Sequence, residues 1–400
     1  MTIHRIALAG EIYSANVGDR AIHDCLTYVF KQLNPALEVL SIDLSGRSGS
    51  GSQRTAGFKQ SITRRIAPGG ARLPLALMNL GAQLGRRLSG QSARWRQSLQ
   101  NADLLVIGGG QLLMDDALNF PLKIHSLASA AVAVDIPLHF CACGVGADWS
   151  MLGGNLLRAA LRNARTISLR DQLSQQRLSR LFPNLQSQVT CDPAVWAAEV
   201  YALPMGARGG SLGLGVISRE EANQRLAHGD RVSAADWNRL WLDLVRELAA
   251  LGHPMELFTT GNPADQAFAE QLLEDSKQQG LHQVSLAPGP ASPRQLLVTL
   301  SGYSLVVAAR LHAAILANAI GIPTVGLGWD AKVRAYYQES GRVDQCFELT
   351  QLNAVKVRQV CASLWGEPFP SEQLQEMKQR ALENARLILE TGSENLETGG

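Results

Sequence analysis

Residues 308 to 333, AARLHAAILANAIGIPTVGLGWDAKV, put two cations and an imidazole at the ends of apolar runs. Arg310 closes one run, Leu311 and His312 open the small-residue helix that follows, and Lys332 lies just past the next run. A histidine in the first turn of a helix has its pKa pushed down by the helix dipole, and a bound dianion pushes it back up. That combination suits a proton donor coupled to an anionic substrate. Lone histidines are more often structural, but the spacing to Arg310 and Lys332 favours the functional reading of His312.

Four more stretches carry the same kind of signal. In TISLRDQLSQQRLS, Arg170 and Asp171 end a run; the planar fork of an arginine suits a carboxylate or phosphate, and bracing a helix start is the competing role. In VIGGGQLLMDD, Gly108, Gly109 and Gly110 expose backbone amides and admit a ligand closely, without the Lys and Ser/Thr of a P-loop. Asp115 and Asp116 follow as groups able to position or deprotonate a hydroxyl, with a helix cap as the alternative for one of them. In GEIYSANVGDRAIHD, Asn16, Gly18 and Asp19 form a helix-entering turn in which Gly18 allows close approach and Asp19 caps. Asp192, in CDPAVW, reads as a structural turn.

The elements that must hold these residues alternate along the chain. The strand candidates are RIALAG, LEVLSIDL, DLLVIGGG, PLHFCACGVG, TISLRD and SQVTCD, then LGLGVIS, MELFTTG, HQVSLA, SLVVAAR and PTVGLG. Helical patterns at 20–33, 120–135, 152–164, 172–182, 236–251, 264–279, 312–320 and 331–340 lie between them. This predicts an α/β protein of two doubly wound, parallel-sheet, Rossmann-like domains facing a cleft, with ligands beyond the carboxyl ends of the strands. The alternation lapses at YALPMGARGGS, residues 201–211. The expected organisation is therefore an N-terminal domain at 1–203, a C-terminal domain at 204–370, and a helix and frayed tail at 371–400.

Composition narrows the functional classes. A chain of 400 residues, 46% apolar and 18% charged with net charge +2, is an ordinary globular protein, and no general nucleic-acid binding is suggested. The six cysteines offer no ligand spacing; Cys141 and Cys143, on one strand face by alternation, read as core residues, so no metal is expected. Absence of a signal peptide or a long uncharged apolar stretch points to the cytoplasm. Between Asp43 and Asp103 there is no acidic residue, yet ten cations occur: Arg47, Arg54, Lys59, Arg64, Arg65, Arg72, Arg86, Arg87, Arg94 and Arg96. With LPLALMNLGAQLG in the same segment, a surface for anionic headgroups or a diphosphate stands beside a solvated insertion as the reading of 44–101.

NVGDRAI, LLVIGGGQLL, SLRDQLS and ARLHAAILANAIGIPTVGLGWDAKVRAYYQESG together resemble the polysaccharide pyruvyl transferases, in the expected order and across most of the chain. The resemblance implies a GT-B-like fold, with the acceptor side in the N-terminal domain and the donor side in the C-terminal one. It implies phosphoenolpyruvate as donor, a sugar hydroxyl pair as acceptor, and no metal or organic cofactor. Arg170 would correspond to the donor-binding arginine, and Arg310, Leu311 and His312 to the R-L-H motif with the histidine as general acid. An acceptor on a polyprenyl diphosphate would bring the protein to the inner face of the plasma membrane, held peripherally by the basic segment. A GT-B glycosyltransferase using a nucleotide sugar is the alternative enzyme. A non-enzymatic assembly partner is the third reading, disfavoured by Arg170, Arg310 and His312.

Overall fold

The computed structural model describes residues 3–46, 75–82, 91–206, 209–224 and 231–398. Its first sheet has β1 (Arg5–Gly10), β2 (Glu38–Asp43), β3 (Leu104–Gly108), β4 (Leu138–Cys143), β5 (Ala164–Leu169) and β6 (Gln188–Val189), all parallel, in the order β2-β1-β3-β4-β5-β6. β3 and β4 are buried along their whole length, as parallel strands covered by crossover helices must be. Those helices are α1 (Val17–Leu33), α2 (Gln91–Leu99), α3 (Asn119–Ala133), α4 (Met151–Leu161) and α5 (Gln172–Leu181). The chain leaves β1 to one side for β2 and to the other for β3, so this sheet reverses direction between β1 and β3. Gly10 and the glycine triplet lie at that reversal.

The second sheet has β7 (Ser211–Gly215), β8 (Met255–Phe258), β9 (Val284–Leu286), β10 (Tyr303–Ala308), β11 (Thr324–Gly328) and β12 (Cys346–Glu348), again all parallel, in the order β12-β11-β10-β7-β8-β9. Its helices are α6 (Ala234–Ala249), α7 (Pro263–Gln278), α8 (Pro293–Ser301), α9 (Leu311–Ala319), α10 (Ala331–Glu339), α11 (Ala354–Leu364) and α12 (Ser371–Thr398). Most start where the sequence says they should: Ser233, Asn262, Ser292, Asp330 and Asn353 each accept a first-turn amide, with Pro263 and Pro293 in the first turn of α7 and α8. α9 is different, because its N-cap is Arg310, which has no acceptor to offer. Here the reversal lies between β7 and β10. Gly213 in β7 leaves room for the Tyr303 ring, which a Cβ would meet at 2.3 Å.

The chain forms two compact units. Met1–Ser14, Ile22–Pro193 and Gln379–Gly400 make the first, so far as they are described, and Ala15–Ala21 with Ala194–Lys378 make the second. The change of unit thus falls after Pro193, ahead of the Pro and Gly cluster at 201–211. α12 starts among second-unit residues, where Lys378 meets Glu199 and Trp196, and ends in the first, where Asn384 reaches Cys141 and Arg380 the carbonyl of Thr190.

Two details depart from the sequence expectation. β12, three residues at a sheet edge, carries too short a pattern to be read. Cys141 and Cys143 do not share a simple strand face: Ala142 has φ 51 and the pairing with β5 shifts there, so Cys141 meets Asn384 while Cys143 meets the Ile107 carbonyl. Burial pushes the Cys141 thiol up to about 12, which makes it inert packing. Of the basic stretch 44–101, residues 47–74 and 83–90 lie outside the described residues; 75–82 are helical and α2 follows. Among the described residues no helix is long and apolar enough to cross a membrane.

Candidate active site

In the second unit, the polar residues beyond β7, β8, β10 and β11 converge on the start of α9. Arg310 donates through Nε to Asp265 Oδ2 at 2.8 Å, and its Nη2 lies 2.7 Å from the same oxygen and 3.4 Å from Glu221 Oε2. Asp265 is fully buried and also accepts the Ser218 amide at 2.9 Å. Burial pushes its carboxyl up, and the Arg310 guanidinium is the main influence holding it down. Trp329, fixed by donation from Nε1 to the Ala309 carbonyl at 2.8 Å, has Arg310 over its ring at 5.6 Å and Lys332 at 5.4 Å. One indole therefore gathers both cations noted in the sequence. Lys332 also sits 3.6 Å from Asp330, the cap of α10.

His312 lies in the first turn of α9, 8% exposed, and Leu311 beside it is buried packing. The Asn16 to Asp19 turn groups with this unit: the Val17 amide donates to the Thr260 carbonyl at 3.0 Å. Asn16, rather than Asp19, caps α1 by accepting the Gly18 amide at 3.2 Å. Asp19 instead brings Oδ1 to 3.9 Å from His312 Nδ1. Gly18 is required by this packing, since a Cβ there would come within 2.5 Å of the His312 Cβ. The arrangement is a histidine with a carboxylate beside one ring nitrogen, at a helix end whose amides no side chain caps.

In the first unit, Arg170 is 6% exposed and already neutralised. Its Nε donates to Asp171 at 3.2 Å and its Nη1 to Asp192 at 3.4 Å. Burial works against its charge and the two aspartates outweigh that, so its pKa is raised. Asp192 is thus an ion-pair partner rather than only a turn residue, and Asp171 caps α5 through the Ser174 amide. The glycine triplet serves close packing: a Cβ on Gly108 would meet the Cys141 carbonyl at 2.8 Å, and one on Gly109, at φ +74, would meet Ile22 at 2.0 Å. The Gly109 amide is committed to the Cys141 carbonyl, and the Gly110 carbonyl accepts the Gly144 amide. Asp116, Ala117 and Leu118 have φ of 42, 52 and 69, three left-handed non-glycine residues in a row. Asp115 holds that turn, accepting the Leu118 amide on Oδ1 at 2.7 Å and the Ser150 amide on Oδ2 at 2.6 Å. Asp116 is exposed and accepts from Asn119 at 3.0 Å.

A model of the polysaccharide pyruvyl transferase family matches residues 16–331, which include the turn at Asn16, the Arg170 loop and the whole of α9. The chain belongs to the polysaccharide pyruvyl transferase family. It is therefore a transferase. No curated protein matches the sequence. Solved structures match over almost the whole length at low identity. UDP-GlcNAc 2-epimerase from Neisseria meningitidis is 12% identical, covering 97% of this chain and 98% of that one at a TM-score of 0.51. Staphylococcus aureus MnaA is 10% identical, covering 97% and 95% at 0.51. Glycyrrhiza uralensis UGT73P12 is 11% identical, covering 99% and 97% at 0.51. These likenesses concern the fold, a pair of Rossmann-like domains of the GT-B kind.

One polar cluster of this pyruvyl transferase family member escapes sequence reading. Beyond β1 and β2, Glu11 and Ser45 meet Lys123 of α3: Lys123 Nζ donates to Ser45 Oγ at 2.8 Å and to Glu11 Oε1 at 3.2 Å, and Ser45 donates to Glu11 at 2.8 Å. Lys123 is 4% exposed, unusual for a lysine and explained by this pairing. The hint in the sequence is a lone lysine in a helix rich in alanine and leucine.

The geometry gives Asp115 a structural job in this transferase, and that has a testable consequence. Asp115→Ala leaves the buried Leu118 amide without its acceptor, a loss of about 1–3 kcal/mol, and the part-buried Ser150 amide loses the same partner at smaller cost. Chemical denaturation should show that loss, while affinity for the donor stays at the wild-type value; a variant of normal stability and no activity would return Asp115 to the chemistry.

Proposed function

We propose that this family member transfers the pyruvyl group of phosphoenolpyruvate to a pair of sugar hydroxyls, forming a cyclic ketal and releasing phosphate. The observation that carries this reading is the start of α9: an N-terminus without a side-chain cap, flanked by Arg310 and by Lys332 over one indole, with His312 in its first turn. A donor with both a carboxylate and a phosphate suits two cations beside a helix N-terminus that no side chain caps, at one strand-end reversal. Leu311 fixes the turn by burial. Arg170 is held by Asp171 and Asp192 as Arg310 is by Asp265 and Glu221, and the donor clamp is assigned to Arg310 with Lys332 because these two share the Trp329 indole beside α9.

The chemistry follows from proton transfer. Protonated His312, with Asp19 beside Nδ1, gives its proton to the methylene carbon of the enol, turning it into a methyl and leaving an oxocarbenium-like C2. A sugar hydroxyl adds to C2 and its proton returns the histidine to the charged state. The C2–O bond to phosphate then breaks, a second hydroxyl closes the ring, and its proton leaves with the phosphate. No metal or organic cofactor has a task in this sequence. Asp115, both of whose oxygens receive backbone amides, is not assigned to the hydroxyl proton.

The acceptor is assigned to a growing polysaccharide unit on a polyprenyl diphosphate, which places the protein in the cytoplasm and peripherally on anionic membrane at the inner face of the plasma membrane. The ten cations between Asp43 and Asp103, with no acid among them, support that placement. Nucleic acid is not a partner in this reading. The test is phosphate release from phosphoenolpyruvate that depends on added oligosaccharide, with the ketal methyl followed by proton NMR. Equal amounts of phosphate and ketal support the reading; phosphate released without ketal would sink it.

A further inference from the structure

Five large apolar side chains of the first unit are exposed around one loop. Leu77 is 61% exposed, Met78 47% and Leu80 47% on the helical residues 75–82, and Met151 is 86% and Leu152 51% exposed at the start of α4. Single exposed leucines are ordinary, but these two groups are tied to the same turn. Asn79 Nδ2 donates to the Ala117 carbonyl at 2.8 Å, and the Ser150 amide donates to Asp115 at 2.6 Å. The left-handed run at Asp116, Ala117 and Leu118 is thus tied by hydrogen bonds to the helical residues 75–82 and, through Asp115, to the start of α4. Trp149, half-buried and donating to the Gly146 carbonyl, adjoins Met151.

Charge sorts the partners that could cover this surface. Arg158 and Arg162 are exposed on α4 and follow Met151 at helical spacing, so they continue its outer face. Arg94 and Arg96 are exposed on α2, within the acid-free stretch that also contains Leu77 to Leu80. The acids nearby in sequence are Asp116 and Asp148. Apolar side chains whose segments carry mainly arginines as their exposed charges match a bilayer interface, where leucine and methionine enter the acyl boundary and guanidinium groups remain among anionic headgroups. With no helix able to cross among the described residues, such a contact lies on the membrane surface.

We propose that Leu77, Met78, Leu80, Met151 and Leu152 form an insertion patch that seats the protein on a bilayer containing anionic lipid, a deepening that rests on the membrane placement given above. Charge alone would hold the protein loosely and any anionic surface would serve; the patch adds a requirement for acyl chains. The experiment is sedimentation of the purified full-length chain with vesicles of phosphatidylcholine, with and without phosphatidylglycerol. Leu77→Gln with Leu80→Gln, and separately Met151→Gln with Leu152→Gln, should each lower the partition coefficient about tenfold, because each pair removes leucine- or methionine-sized burial. All four together should abolish sedimentation while leaving the melting temperature and phosphoenolpyruvate binding unchanged. If the wild-type chain does not sediment with the phosphatidylglycerol vesicles, the membrane placement and the patch both fall. If it sediments and the fourfold variant does so equally, the patch alone is overturned and the contact is electrostatic.

Discussion

Arg310→Ala lowers the free energy of unfolding by about 3–5 kcal/mol at neutral pH, because it strips a fully buried carboxylate of its counter-ion. Asp265 is left with the Ser218 amide, and Glu221 then repels it. The pH dependence has a definite sign. Burial already raises Asp265 above its ordinary 3.8, and removal of Arg310 raises it further. A carboxyl with a raised folded-state pKa contributes stability that is fully present below its unfolded pKa and is lost as pH rises through the folded value. The deficit of Arg310→Ala therefore grows as pH rises through the raised pKa that Asp265 has in the wild-type fold and levels off above the still higher one it has in the variant. Urea unfolding across that range checks the shape, and Arg310→Ala with Asp265→Asn should recover a large part of the loss. A deficit that shrinks with rising pH would contradict the pairing.

His312→Gln removes the proposed proton donor with little change in side-chain volume. Transfer should fall by about 10²–10⁴-fold, the usual contribution of a positioned general acid. Phosphoenolpyruvate affinity should stay within a few-fold of wild type, because Arg310, Lys332 and the amides of α9 are untouched. Asp19→Asn should reduce the rate less, since it removes only the carboxylate 3.9 Å from Nδ1. The oligosaccharide-dependent phosphate assay measures both. Near-normal turnover in His312→Gln would remove the histidine from the chemistry.

Much of the fold was legible because parallel strands buried on both faces write themselves as continuous apolar runs, as SLVVAA does in β10. The place of the R-L-H stretch was legible for a related reason: Arg310 and His312 directly follow such a run. Their partners were not, because carboxylates that neutralise a strand-end arginine come from distant segments. Asp265 and Glu221 lie 45 and 89 residues from Arg310, and Asp192 lies 22 from Arg170. Arg170 looked available in the sequence and is enclosed in the fold for that reason. At Gly108 and Gly109 the sequence cannot separate two demands: close packing against β4 and α1 requires glycine as firmly as a phosphate does. The Glu11, Ser45 and Lys123 cluster joins three elements, with 112 residues between Glu11 and Lys123, and no local pattern announces it.

Thermal stabilisation of the purified protein by phosphoenolpyruvate, in parallel with UDP-linked and GDP-linked sugars, tests the central claim most directly. A ligand at a hundred times its dissociation constant adds about 2.7 kcal/mol to the folded state. The account predicts a clear upward shift of the melting temperature with phosphoenolpyruvate, none with the nucleotide sugars, and retention of the shift in His312→Gln. Stabilisation by a nucleotide sugar with no response to phosphoenolpyruvate would contradict it.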